Sequence, residues 1–134
     1  MSVSVIIPVY QAERFIKKAV LSACEQEEVT EIILVEDGST DKSLKVCEDL
    51  TEAYEPIVKL FRHDDGLNHG AGASRNLGIV KAKEKYIAFL DADDYFLSGR
   101  FTHDLEILES DSLIDGIYNA LGVNVYDEDE RKRI

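Results

Sequence analysis

Basic residues are scarce in this chain. It has 15 Lys and Arg against 27 Asp and Glu in 134 residues, a formal net charge of −12. A general nucleic-acid binder needs a basic face to displace counterions, and an anionic membrane patch needs clustered Lys and Arg, so both classes are excluded. No apolar run approaches the roughly 18–20 residues needed to span a bilayer. The opening Met-Ser-Val-Ser-Val-Ile-Ile-Pro lacks the charged start and small-residue cleavage site of a leader, so a cytoplasmic protein is expected. Only two cysteines occur, Cys24 and Cys47, both in predicted helices, which reads as two small buried hydrophobes rather than a disulfide. Only two prolines occur, Pro8 and Pro56, and there is no Pro- or Ser-rich linker, low-complexity tract or internal repeat. One domain is expected from the length. The charge is uneven: residues 1–90 hold 15 acids and 11 bases, residues 91–134 hold 12 acids and 4 bases. The segment 123–134 reads as a charged tail after a domain at 1–122.

What is present is an alternation of apolar runs with helical periodicity. Val3-Ser4-Val5-Ile6-Ile7 is β-branched and nearly continuous, the pattern of a strand buried on both faces, with Pro8 expected to end it. Phe15, Ile16, Ala19, Val20 and Ala23 recur at helical spacing, predicting a helix from about Glu13 to Glu25. Glu31 to Val35 reads as a second buried strand. Leu44, Cys47, Leu50 and Tyr54 line a second helix that Ser39, Thr40 or Asp41 can cap. Val58 to Phe61 is a more amphipathic strand, placed nearer the sheet edge. Ala73 to Lys83 fits a short helix with Leu77 and Val80 inward, and Tyr86 to Leu90 a fourth strand. Phe101, Leu105 and Leu108 suggest a further helix, and Ile114 to Tyr118 a fifth strand. Strands separated by helices imply right-handed crossovers and a mostly parallel sheet with helices on both faces.

Such sheets bind ligands outside the carboxyl ends of their strands. That selects Pro8-Val9-Tyr10, Glu36-Asp37-Gly38-Ser39 and Asp91 to Asp94. Asp91, Asp93 and Asp94 crowd three like charges into four residues, and a divalent cation with oxygen ligands would offset them. A solvated turn with Asp94 capping the next helix is the plainer alternative. Asp37 can accept from a base or ribose, or the Glu36–Ser39 stretch is an ordinary strand-to-helix turn with Gly38 allowing the bend. In the glycine-rich loop His63 to Gly72, His63 and His69 lack a third ligand and read as surface residues. Gly70 and Gly72 could let backbone approach a phosphate. Arg75 faces either an anionic ligand or one of the many acids. A dinucleotide fingerprint is absent after the first strand, and there is no G-x-x-x-x-G-K-[ST] phosphate loop.

Four ordered motifs carry a resemblance. Val3-Ser4-Val5-Ile6-Ile7-Pro8-Val9-Tyr10, Glu36-Asp37-Gly38-Ser39-Thr40-Asp41, Gly70 to Gly78 and Tyr86 to Asp94 together resemble the N-terminal, nucleotide-sugar-binding half of family 2 glycosyltransferases. The resemblance implies the Rossmann-like α/β GT-A fold and inverting, metal-dependent sugar transfer from a nucleoside-diphosphate sugar, a UDP-sugar first, to an acceptor hydroxyl. By it, Pro8, Val9 and Tyr10 border the base, Asp37 hydrogen-bonds it, and Asp91-Ala92-Asp93 is the D-x-D motif. Asp91 lies by the ribose, and Asp93 with Asp91 holds Mn²⁺ or Mg²⁺ on the diphosphate. Gly70 and Arg75 belong to the same site. Gln11 replaces the usual Asn and Glu36 the usual Asp. The family's catalytic base lies roughly a hundred residues beyond the D-x-D motif, whereas 40 follow Asp94 here. No base is therefore assigned, and weak or absent transfer is expected of this length alone; a non-catalytic nucleotide-binding module is the alternative. Family members act on saccharide or lipid-linked acceptors, often at the inner membrane face.

Overall fold

The computed structural model describes residues 2–117. In chain order the elements are β1 (Val3–Val9), α1 (Ile16–Cys24), β2 (Val29–Glu36), α2 (Ser43–Ala53), β3 (Val58–Arg62), α3 (Ala71–Lys81), β4 (Tyr86–Phe89) and α4 (Thr102–Ser110). Met1–His103 groups as one compact unit, and a second begins at Asp104. The expected boundary at 122 and the tail lie outside the described residues.

The sheet has the order β3-β2-β1-β4, with every neighbouring pair parallel. From β1 to β3 the chain steps in one direction, then it returns across the sheet to place β4 beside β1. With right-handed crossovers this reversal puts α1 and α2 on one face and α3 on the other. Accordingly α1 packs on α2, while α3 packs on β1 and β2. The switch point between β1 and β4 opens a crevice at their carboxyl ends.

Ile6, Ile7, Ile32, Ile33 and Leu34 are wholly buried in the two central strands. Each such side chain contributes about 1.5–3 kcal/mol relative to exposure. Ile6, Ile33 and Val35 form the core under α3, with Leu77, Phe61 and Ala82 packed against it. A Cβ on Gly78 would stand 2.4 Å from Ile6 Cγ2, so the missing side chain is what lets α3 lie this close.

Several expectations need correction. Pro8 lies inside β1, in register with Val35. Backbone groups of a strand point alternately to its two neighbours, and Ile6 O accepts from Leu90 N on the β4 side. Pro8 therefore faces that side too, beyond the last β1–β4 pair, Ile6 with Phe89, where no ladder bond is lost. Helix α1 begins at Ile16, after a turn, rather than at Glu13. α3 starts two residues early and turns Val80 outward (77% exposed), because Ser74 and Gly78 take the buried face. Of the proposed fifth strand, residues 114–117 are not in a strand, and Tyr118 lies outside the described residues. Cys24 and Cys47 are free thiols in α1 and α2; burial pushes the Cys47 thiol up to about 12. Among the described residues no helix is long and apolar enough to cross a membrane.

Candidate functional site

Because all four strands are parallel, the loops after β1, β2 and β4 leave the sheet on one side. After β1 comes Tyr10, half exposed, and then Gln11 with φ +50°, a left-handed conformation uncommon for a side-chain-bearing residue. Its amide explains the position. Gln11 Oε1 accepts from Thr40 N (2.6 Å) and Asp41 N (3.2 Å), and Nε2 donates to Thr40 Oγ1 (2.9 Å). Gln11 thus ties the first loop to the second. Asp41, one of the expected caps, accepts from Ser43 N at 2.9 Å at the start of α2.

After β2, Glu36 is buried and accepts from Ser39 N (2.6 Å), Gly38 N (3.1 Å) and Arg62 Nε (3.3 Å). Asp37 is buried as well. Its Oδ1 accepts from His69 N at 2.7 Å, and its Oδ2 from Asn68 Nδ2 at 2.9 Å and Gly70 N at 3.0 Å. Asp37 therefore fastens the 68–70 loop across the β2 end, and most of its acceptor capacity is occupied. Gly38 has φ +73°, and a Cβ there would meet Asn68 N at 2.5 Å, so glycine is required both by the backbone and by the crossing loop. His63, expected on the surface, is largely buried. Its Nε2 lies 3.0 Å from Ser74 Oγ and 3.3 Å from Asp37 Oδ1. His69 is exposed, as expected, and pairs with Asp65 at 2.8 Å.

After β4, Leu90 N donates the last ladder bond to Ile6 O, and Asp94 N closes a turn on Asp91 O (3.0 Å). The turn brings ligand atoms of Asp91, Asp93 and Asp94 within 4.8 Å of one another, all three exposed. Burial first, then the charges of Asp93 and Asp91, hold the Asp94 carboxyl above its usual range. Asp94 caps no helix, since α4 starts at Thr102.

These ends enclose one cleft of about 420 Å³. Pro8, Tyr10, Asp37 and Gly70 line it, together with Asp91, Ala92 and Asp93. Two expected residues do not. Val9 is wholly buried, because strand alternation turns its side chain away from the Pro8 and Tyr10 side. Arg75 stands on α3 and donates from Nη2 to Asp91 Oδ1 at 3.1 Å, taking the ion-pair alternative. Gln11, Ala12, Phe15, Asn68 and Ala71 also line the cleft and were not foreseen as site residues. The position of Gln11 after a strand end was a usable signal; the loop crossing that brings Asn68 over Asp37 left none.

Residues 4–131 match the family model described as glycosyl transferase family 2. The chain belongs to that family. It is 36% identical over 113 residues to an uncharacterized glycosyltransferase of Haemophilus influenzae, covering 84% of this chain and 44% of that protein. It is 41% identical over 98 residues to the poly(ribitol-phosphate) beta-glucosyltransferase of Bacillus spizizenii, covering 71% and 15%. The chain thus spans less than half the length of these curated family members. Among solved structures, S. aureus TarS 1-349 in complex with UDP-GlcNAc superposes with a TM-score of 0.70 at 27% identity, over 82% of this chain and 32% of that one. A mannosyltransferase of Pyrobaculum calidifontis, solved with GDP-Man and Mn²⁺, shares the fold at a TM-score of 0.65 and 22% identity, over 75% and 30%. The α/β body with its parallel sheet flanked by helices is the GT-A fold.

Proposed function

We propose that this chain is the donor-binding part of a glycosyltransferase that takes a nucleoside-diphosphate sugar, a UDP-sugar first, into the cleft at the β1/β4 switch point. The observation that carries the reading is convergence. Loops after all four parallel strands put Tyr10, Asp37, Gly70 and the Asp91–Asp93 turn around a single 420 Å³ space. The solved TarS complex with UDP-GlcNAc, at 27% identity, supports the ligand class.

Tyr10, exposed at the mouth beside Pro8, offers a face for the base. The 68–70 loop, held by Asp37, brings Gly70 to the cleft, where φ +93° and open space at its Cβ position let the ligand approach backbone. The three-carboxylate set fits a hard divalent cation, Mn²⁺ or Mg²⁺, which seldom uses a full protein cage and keeps places for phosphate oxygens. Asp93 and Asp91 would hold it, and when bound it supplies positive charge to the diphosphate leaving group. Arg75 adds a second positive charge through its pair with Asp91 and orients that carboxylate. Transfer would invert the anomeric centre, and the general base is not assigned to any described residue. The acceptor we assign is a saccharide or lipid-linked glycan of the cell envelope, met from the cytoplasm at the inner membrane face, in keeping with the poly(ribitol-phosphate) relative.

Titration calorimetry with UDP, GDP and TDP, with and without Mn²⁺, tests this. Cation-dependent heat with UDP, weakened by Asp93→Ala, is expected; no heat with any nucleotide overturns it. Sugar transfer from a labelled UDP-sugar separates an enzyme from a binding module.

A further inference from the structure

Helix α1 and its end carry three polar residues spaced four apart, Lys18, Ser22 and Gln26, which share one helical face. Ser22 and Gln26 are 7% and 4% exposed. Buried polar side chains persist when they are hydrogen-bonded, and the partners here lie some seventy residues away. Ser22 Oγ accepts from Phe96 N at 2.9 Å, Gln26 Nε2 donates to Leu97 O at 3.0 Å, and Gln26 Oε1 accepts from Arg100 N at 3.0 Å. Lys18 Nζ stands 4.0 Å from the centre of the Tyr95 ring. The two anchors are themselves fixed to the helix: Ser22 Oγ donates to Ala19 O at 2.7 Å, and Gln26 Nε2 also donates to Ser22 O at 3.1 Å.

Segment 95–100 has no strand or helix of its own, and these bonds tie it to α1. On the other side of the acidic turn, Leu90 is pinned to β1. Asp91, Asp93 and Asp94 are strung between two fixed points, one on the sheet and one on α1. Without the second, mutual repulsion would spread the carboxylates.

We infer that Ser22 and Gln26 are positioning residues for the cation: they hold the far side of the acidic turn so that its carboxylates are gathered before the ion arrives. The inference rests on the reading of Asp91 and Asp93 as cation ligands. Residues that orient metal ligands from behind typically change affinity by about 10–100-fold.

The test titrates Mn²⁺ alone into the full chain and into Ser22→Ala, Gln26→Ala and Ile33→Val, the last a buried change on β2 remote from 95–100. Backbone hydrogen exchange over 90–96 is followed without metal. Ser22→Ala removes one anchor only and serves if Gln26→Ala does not fold. Roughly tenfold weaker Mn²⁺ binding in the two α1 variants is expected, with faster exchange confined to 91–96, and neither change in Ile33→Val. Unchanged Mn²⁺ affinity in folded Ser22→Ala and Gln26→Ala, or an equal loss in Ile33→Val, overturns it. If the unaltered chain takes up no Mn²⁺, the cation reading itself fails. Exchange then decides the anchoring alone: acceleration confined to 91–96 upholds it, and uniform acceleration rejects it.

Discussion

At the amino end of the sheet, Glu31 of β2 is buried, yet every part of its carboxylate has a partner. It accepts from Ser4 Oγ at 2.7 Å and Lys83 N at 2.9 Å, and it pairs with Lys59. At the carboxyl end, Asp91, Asp93 and Asp94 are exposed and crowded, and Arg75 is the one cation that an ion pair gives them among the described residues. The same residue class thus does two jobs in one sheet. The amino-end acid joins β1, β2, β3 and the approach to β4, so its removal should be felt in stability. The carboxyl-end acids repel one another and hold little together, as the proposed cation site requires.

The largest effect should come from Glu31→Ala. It strands Lys59 and two further donors and should lower stability by about 3 kcal/mol in urea unfolding, the low end for a broken buried pair because Lys59 keeps some water. UDP affinity of the folded remainder should not move. Asp37→Ala blurs the contrast, since Asp37 is a cleft residue that is also buried and bonded. It should lose about 2 kcal/mol, from three orphaned donors, and weaken UDP binding by releasing the 68–70 loop. Asp93→Ala sharpens the contrast again. Its stability should stay within about 0.5 kcal/mol of the unaltered chain, while calorimetry shows Mn²⁺-dependent UDP binding weakened by more than the roughly tenfold expected where a residue only orients a cation ligand.

The smallest effect is a pH dependence. Burial by itself would raise the Glu31 carboxyl, but hydrogen bonds from Lys59, Ser4 and Lys83 N and the Lys59 charge outweigh it and leave it below the ordinary value. A depressed carboxyl adds stability that is complete above its unfolded value of about 4.3 and is lost as pH falls through the folded one. Thermal melts from pH 7 to pH 3 should therefore show a shallower acid-side decline in Glu31→Gln than in the unaltered chain.

Much of the fold was legible because it depends on local pattern. The continuous apolar runs of β1 and β2, the amphipathic β3 at the edge and the acids after β4 all follow from burial on one or two faces. Asp91 to Asp93 could be read for the same reason: an acidic turn straight after an apolar strand is a contrast visible in one stretch of chain, although β4 itself proves half exposed at Ile87 and Phe89. Where partners come from distant segments, local pattern is silent. That Pro8 sits inside a strand depends on β4 ending two residues short. That Glu36 and Gln11 hold the second loop, and that Asp37 is occupied by residues 68–70, depends on loop crossings. Val9 and Val80 were misjudged by the phase of a strand and of a helix, where one residue reverses the face.

The most direct test maps UDP onto the chain by amide chemical shifts, with Mg²⁺ as the diamagnetic ion. Shifts at Tyr10, Gly38, Gly70, Ala92 and Asp93, with Glu31, Lys59 and Lys83 unmoved, are the predicted result. Shifts gathered around Glu31 instead, or none at saturating UDP and Mg²⁺, would contradict the assignment of the β1/β4 crevice as the nucleotide site.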